Sequence, residues 1–332
     1  MKTIRLPKEE PLLNIASHAR GGSRAADRLT PAQIEHIRLT VHHAPEVMVK
    51  VLSQGSSDLK AVARHFDYIG RQGDLALEGD DSHELRGRIG QELIDDWGLD
   101  IDELRPQANL SALPPRKPMK LVHKLVFSMP PGTPPQKVLT AVRNFAREEF
   151  HGRHRYAMVL HTDEPHPHVH LVLRALSEQH VRLNIRKATL RHWRSQFAWQ
   201  LRALGVAANA TERAVRGEDR KALKDGIYRA SRRGESTHTR THAEGVAREL
   251  AASGSIRPEA GKCRLLETRT AVLDGWRAVA ERLAQQGDLR LATDVDRLAR
   301  GMTEPLTDWE WMVREIVVAV RTRARQQERR ML

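Results

Sequence analysis

Apolar positions change period several times along this chain. They alternate over 47–52, 74–78, 120–128, 155–160 and 168–173, as suits strands whose side chains point to opposite faces in turn. Between these runs they recur at three and four residues, the helical period, over 31–39, 59–69, 82–97, 136–150 and 190–204. Ser57 and Asp58 offer an N-cap to the second helix, and Gly70 and Gly73 break it. A Pro-rich linker is expected over 114–118, and a Pro-Pro-Gly-Thr-Pro-Pro segment ends the strand at Ser128. The order predicts an α+β fold: an antiparallel central sheet flanked by helices, with the helices packed on one side. From Glu218 onward the pattern is helical, with breaks at Gly254, Gly287 and Gly301, and no internal repeat is visible. The expected organisation is a loose polar arm over 1–44, a central domain over 45–217, and a helical C-terminal region over 218–332.

One stretch departs from ordinary core patterning. His161-Thr-Asp-Glu-Pro-His166-Pro-His168-Val-His170 runs directly into Leu-Val-Leu. On an extended strand His168 and His170 project from one face while Val169, Leu171 and Leu173 take the other. A turn at Glu164-Pro165 lets the preceding strand bring His161 beside them. Imidazoles converging on a sheet are costly unless they share a cation, and a three-histidine set leaves positions open for water or substrate. Histidines in a surface loop, or core histidines satisfied by carbonyls, are the ordinary alternative, and His123, His151, His154 and His180 are read that way. His166 shares the face of His168 and is a candidate either for a phosphate contact or for supporting the ligand histidines from behind. Asp163 is a candidate acceptor for the outer N–H of a ligand histidine.

Composition narrows the partner. The 332 residues carry a formal charge of +13, which points to a polyanion, most simply nucleic acid. A single cysteine, Cys263, excludes an internal disulfide framework. No apolar run approaches the length of a membrane span and the first residues lack a signal-peptide core, so a cytoplasmic protein without membrane insertion is expected. Basic residues Arg182, Arg186, Lys187, Arg191 and Arg194 cluster after the histidine strand and are assigned to DNA phosphates. Trp193 and Phe197, interleaved with them, stand four apart and read as helix core. A second basic run, 213–233, is either a DNA clamp or a solvated linker. The C-terminal region holds Trp276, Trp309 and Trp311 and ends in an arginine-rich tail, as a helical bundle for DNA or partner binding would.

A metal site of this kind can serve water or a side-chain nucleophile. Of the three tyrosines, Tyr68 lies at the end of the predicted helix 59–69, just before a Gly-containing loop, with Arg71 close by to meet phosphate. A tyrosine capping the core is the plainer reading of that segment alone. Tyr156, on a strand, reads as packing.

Phe66-Asp-Tyr68-Ile-Gly-Arg-Gln-Gly-Asp-Leu-Ala-Leu-Glu78, Val126-Phe-Ser-Met-Pro-Pro-Gly-Thr133 and the histidine stretch come in the order of three motifs of the conjugative relaxases. These are the mobilisation nucleases of the HUH superfamily, and the likeness is strongest to the branch that contains the Agrobacterium T-DNA border endonuclease. It runs from about Pro45 to Gly217. The first motif lies further into the chain than is usual in the family, and Pro165 stands where some relatives carry an acidic residue. The resemblance implies that Tyr68 attacks DNA, that His161, His168 and His170 hold a divalent cation, Mg²⁺ or Mn²⁺, and that Ser128 touches DNA near the cut. It implies nicking and rejoining of single-stranded DNA at a transfer origin through a 5′-phosphotyrosyl intermediate, with Asp163 or a water taking the phenolic proton. Accessory DNA-binding proteins, a type IV secretion coupling ATPase and export covalently bound to DNA go with such a role. A rolling-circle replication initiator, an inactive DNA-binding accessory protein and a small-substrate metallohydrolase are the competing readings.

Overall fold

The computed structural model describes residues 28–52, 57–81, 83–102, 119–218, 225–254 and 259–331. The arm over 1–27, the linker at 114–118 and a portion of the 213–233 basic run (219–224) lie outside the described residues. The chain divides into two compact units, His42–Ala210 and a second made of Met1–Val41 with Thr211–Leu332.

In the first unit, β1 (Met48–Leu52), β2 (Leu77–Gly79), β3 (Glu84–Leu85), β4 (Val122–Ser128), β5 (Tyr156–His161) and β6 (His168–Arg174) form one sheet. Its order is β1-β4-β6-β5-β2-β3, and every pairing is antiparallel. Strands β4, β5 and β6 lie in the middle and are buried on both faces, so apolar residues also stand on the alternate positions of β5 and β6 that an open sheet would leave polar. One face packs Leu125, Phe127, Val169, Leu171, Leu173, Tyr156 and Met158 against Phe145 and Phe150 of one helix and Trp193, Phe197 and Leu201 of another. These helices are Pro135–Phe150 and Lys187–Ala203.

The other face is not bare. Val122, Ala157, Val159 and Val172 pack there against Val62, Phe66 and Ile69 of α2 (Leu59–Ile69) and Leu93 and Ile94 of α3 (Gly90–Asp96). The expectation of helices on one side is therefore corrected: α2 and α3 form a second layer. Asp58 caps α2, its side chain accepting from the Ala61 amide at 2.5 Å. The two helices touch so closely at Gly90 that a Cβ there would overlap the Ala63 carbonyl oxygen. Asp67 accepts the Gly90 amide at 3.1 Å and ties the pair.

The predicted helix over 82–97 is shorter than its pattern. Glu84–Leu85 pairs with β2, and the helix begins only at Gly90. The Gly79-Asp-Asp turn explains the difference: the Gly79 amide donates to the His83 carbonyl, and Gly87 takes a φ of 92° that a helix cannot continue. Hairpin pairing against an existing sheet outweighs local helical periodicity.

The second unit is helical. With α1 (Pro31–Val41), α4 (Pro135–Phe150) and α5 (Lys187–Ala203) taking their places in chain order, its further helices are α6 (Asp225–Arg232), α7 (Thr237–Ser253), α8 (Gly261–Gln285), α9 (Leu289–Gly301) and α10 (Asp308–Met331). Leu29, Ile37 and Val41, expected in a loose arm, are buried with Val272, Trp276, Val279, Leu283 and Val295. The Trp276 indole donates to the Val215 carbonyl at 2.8 Å. No described helix is long and apolar enough to cross a membrane.

Candidate metal and phosphate site

The end of β5 and the start of β6 face each other in register, His161 opposite His168 and Val159 opposite His170. Residues opposite one another point to the same face, so strand pairing alone sets three imidazoles together on the α2 side of the sheet. Their ring centroids are 5.2 Å (His161–His168), 4.6 Å (His161–His170) and 5.3 Å (His168–His170) apart. One nitrogen of each lies within 4.8 Å of those of the other two, the only such group of three or more among the described residues.

Hydrogen bonds orient two of the rings. His161 Nε2–H donates to the Ile69 carbonyl at 2.7 Å, leaving Nδ1 with its lone pair. His168 Nδ1–H donates to the His166 carbonyl at 3.2 Å, leaving Nε2. His170 Nδ1 is buried without a partner. Burial, then the neighbouring imidazoles His161 and His168, push the His170 pKa down to about 3. Burial also lowers that of His161, partly offset by its bond to Ile69. An imidazole nitrogen binds a cation through its lone pair, and at His161 the Arg71 guanidinium shares that lone pair, 3.4 Å from Nδ1. The orphaned His170 nitrogen and the all-imidazole set fit a transition-metal dication such as Zn²⁺ or Mn²⁺ at least as well as Mg²⁺.

Helix α2 brings the candidate nucleophile. Its last residues are Asp67, Tyr68 and Ile69; Ile69 is buried and supplies the carbonyl that holds His161, while Tyr68 is 57% exposed. The chain then turns sharply. Arg71 and Gln72 take left-handed φ values of 52° and 59°, ahead of Gly73 at 106°. Two consecutive non-glycine residues in that region store strain, a feature that clusters at functional sites. The turn carries the Arg71 guanidinium over the Tyr68 ring, 5.6 Å from its centroid, and to His161 Nδ1 at 3.4 Å.

Arg71 also forms an ion pair with Asp163. That is the partner found for Asp163, where the outer N–H of a ligand histidine was expected; the Ile69 carbonyl fills that place for His161. Slight burial raises the Asp163 pKa, but its own backbone amide, Arg71 and the imidazoles outweigh this and hold the carboxyl below its usual range. Ser128 sits opposite His168 on β4, buried, with its hydroxyl 3.5 Å from the Met129 carbonyl. His166 Nε2 lies 3.0 Å from Glu164.

The basic cluster is elsewhere. Helix α5 packs on the face opposite the imidazoles, and Trp193 and Phe197 are buried there, as expected. Its approach segment is fixed at the far end of β6, where the Leu183 amide donates to the Ala175 carbonyl. That end is about 20 Å along the strand from His168. Arg186 and Lys187 are exposed in the first turn, Arg191 is exposed, and Arg194 reaches Glu46 at 3.8 Å. The structure does not bring these four to the imidazoles.

Two side chains at the site were not singled out from sequence. His65, one turn before Tyr68, stacks toward it at 6.5 Å and lies 6.3 Å from His170. Its Nε2 is buried and unpartnered, and burial with Lys124 nearby lowers its pKa to about 4. Lys124 is buried on the same face of β4. The available signal was a polar residue three positions before Tyr68, on the helix face that meets the sheet.

Comparison with known proteins matches residues 84–199 to the nuclease domain of MobA/VirD2-like relaxases. The matched span holds Ser128 and the three histidines; Tyr68 and Arg71 precede it. The T-DNA border endonuclease VirD2 of Agrobacterium fabrum is 24% identical over 229 residues, 59% of this chain and 46% of that protein. Its namesake from Rhizobium rhizogenes is 24% identical over 201 residues, 52% and 42% of the two chains. That from Rhizobium radiobacter is 25% identical over 203 residues, 52% and 43%. The chain thus spans a little under half the length of the curated relatives it matches.

Proposed function

We propose, from the match of residues 84–199 to the nuclease domain of MobA/VirD2-like relaxases, that the chain nicks and rejoins single-stranded DNA at a transfer origin by transesterification. Tyr68 is the nucleophile in this reading. Its Oη attacks the scissile phosphorus, the bond to the 3′ oxygen breaks, and the products are a 5′-phosphotyrosyl ester and a free 3′-hydroxyl. One phosphodiester replaces another, so the step runs in both directions and rejoining needs no nucleotide hydrolysis.

The observation that carries the reading is the hydrogen bond between His161 and Ile69. It fixes the end of the helix that bears Tyr68 to the imidazole group, so the phenol and the phosphate site are held as one piece. His161, His168 and His170 would hold a divalent cation, which when bound supplies Lewis-acid polarisation of the non-bridging phosphate oxygens. Arg71, over the Tyr68 ring, offers positive charge to the developing phenolate and the phosphate. Asp163 orients Arg71; a carboxylate held below its usual range is a weak acceptor for a phenolic proton. Ser128, opposite His168, is assigned to the DNA near the cut, and His166 to a phosphate. The α5 residues Arg186, Lys187, Arg191 and Arg194 are assigned to DNA away from the cut, on the strength of charge. Initiation of conjugative transfer or mobilisation, with accessory proteins, a coupling ATPase and export with the DNA, is part of the same proposal.

The test is covalent capture. Labelled single-stranded DNA carrying the cognate origin is incubated with the protein, with and without Mn²⁺ or Mg²⁺, and resolved under denaturing conditions. A metal-dependent adduct, mapped by mass spectrometry to Tyr68, is expected. DNA bound without any adduct would favour the accessory-protein reading.

A further inference from the structure

The rows of side chains that carry the imidazoles continue across the sheet to its edge. Register gives two rows on the α2 face. One runs His161, His168, Ser128, Met48; the other runs Val159, His170, Val126, Lys50. Each row crosses from β6 over β4 to the edge strand β1, two strand spacings or about 10 Å from the histidines.

Helix α2 covers only the inner region of this face. Its cap Asp58 lies close enough to Lys124 to act on that ammonium, and its last residue reaches His161 through the Ile69 carbonyl. Among the described residues no helix covers the outer region. Met48 is 46% exposed and Lys50 is exposed. Val126 is only half-buried, although Leu125 and Phe127, on the opposite face of the same strand, are fully buried. Lys50 has no carboxylate partner among the described residues. An edge strip with a cationic tip, a thioether and a valine methyl suits a chain that alternates anionic groups with flat apolar ones. The strip is continuous with the imidazole group, and the chain's net charge of +13 is complementary to such a ligand.

We propose that Lys50, Met48 and Val126 form a binding strip for single-stranded DNA beside the cut, with Lys50 on a phosphate adjacent to the scissile one and Met48 and Val126 under a neighbouring base. The strand therefore crosses the sheet transversely, from the imidazoles over β4 to β1. This rests on the triad's being the scissile-phosphate site, but its test reads no cleavage.

Binding of a fluorescein-labelled oligothymidylate to the full chain is followed by anisotropy, without metal, across a salt series. A lysine that neutralises one single-strand phosphate contributes about 0.7 to the slope of log affinity against log salt. Lys50→Ala should lower the slope by about that amount and weaken binding several-fold at low salt, and Lys50→Glu should weaken it further. Met48→Ala should weaken binding with the slope unchanged. Lys137→Ala, on α4 behind the sheet, should leave both quantities at wild type. Wild-type slope and affinity in both Lys50 variants would overturn the proposal, as would an equal loss in Lys137→Ala, which would mean unspecific charge. Failure of adduct formation in the wild-type protein would instead remove the nicking reading and leave this binding result to stand by itself.

Discussion

Tyr68→Phe removes one oxygen and almost nothing else. The Tyr68 side chain is 57% exposed, so the folded protein loses little when the hydroxyl goes. The ring that remains keeps its place beside His65, 6.5 Å away, and under the Arg71 guanidinium at 5.6 Å. An exposed cation–ring contact is worth about 0.5–1 kcal/mol and survives the change, so the net cost in stability is expected within about 0.5 kcal/mol. For a domain of this size that is about 1–2 °C in melting temperature. Affinity for single-stranded DNA should likewise stay within about twofold. The covalent adduct, by contrast, should vanish, because phenylalanine has no nucleophile to offer. The assay is a denaturing gel of labelled origin DNA with metal, run beside a melt and a binding curve for the same preparation. Adduct at wild-type level in Tyr68→Phe would refute the assignment. The other tyrosines then divide cleanly. Tyr156 is 2% exposed and burial pushes its pKa up to about 12, so it is a poor nucleophile; Tyr228, 48% exposed, would be the next to replace.

His170→Ala should abolish the stabilisation that a divalent cation gives the wild type in a thermal melt, about 2.7 kcal/mol for a cation at one hundred times its dissociation constant; an undiminished rise in melting temperature would place the ion elsewhere. His123 is buried well away from the imidazoles, bonded to the Leu183 carbonyl at 3.1 Å, and burial lowers its pKa to about 4. The unfolded chain therefore binds a proton there between pH 6.5 and 4 that the folded chain does not, so stability is full above 6.5 and falls toward 4, by about 3 kcal/mol at most. His123→Gln should flatten that stretch of the stability–pH curve, and an unchanged curve in urea melts would show that the group does not titrate on unfolding. Gly90→Ala must push α2 and α3 apart, since its Cβ would overlap the Ala63 carbonyl oxygen; a loss of about 1–3 kcal/mol is expected in a thermal melt, and a neutral result would mean the helices separate freely.

Much of the site was legible because it follows from local rules. An alternating strand puts His168 and His170 on one face whatever the rest of the fold does. A helix ended by glycines leaves Tyr68 at an exposed terminus. The role of His65 and Lys124 was not legible, since a polar residue on a helix or strand declares its face only when the opposing layer is known. Nor could sequence choose between the Ile69 carbonyl and Asp163 as partner for the imidazoles. That choice depends on how far the end of α2 reaches toward β5, and on the left-handed turn at Arg71 and Gln72 that aims a guanidinium at the carboxylate.

Periodicity and motif order by themselves determined an α+β chain with an antiparallel sheet, a three-histidine strand pair and a tyrosine at a helix end. These are short-range properties, carried by side-chain alternation and by glycine and proline stops. Only the tertiary structure decided that a second helical layer covers half the imidazole face, that the α5 arginines stand behind the sheet, and that Lys50 shares a row with His170. Those facts come from strand order and layer packing, which join residues far apart in the chain. No window along the sequence contains both members of such a pair.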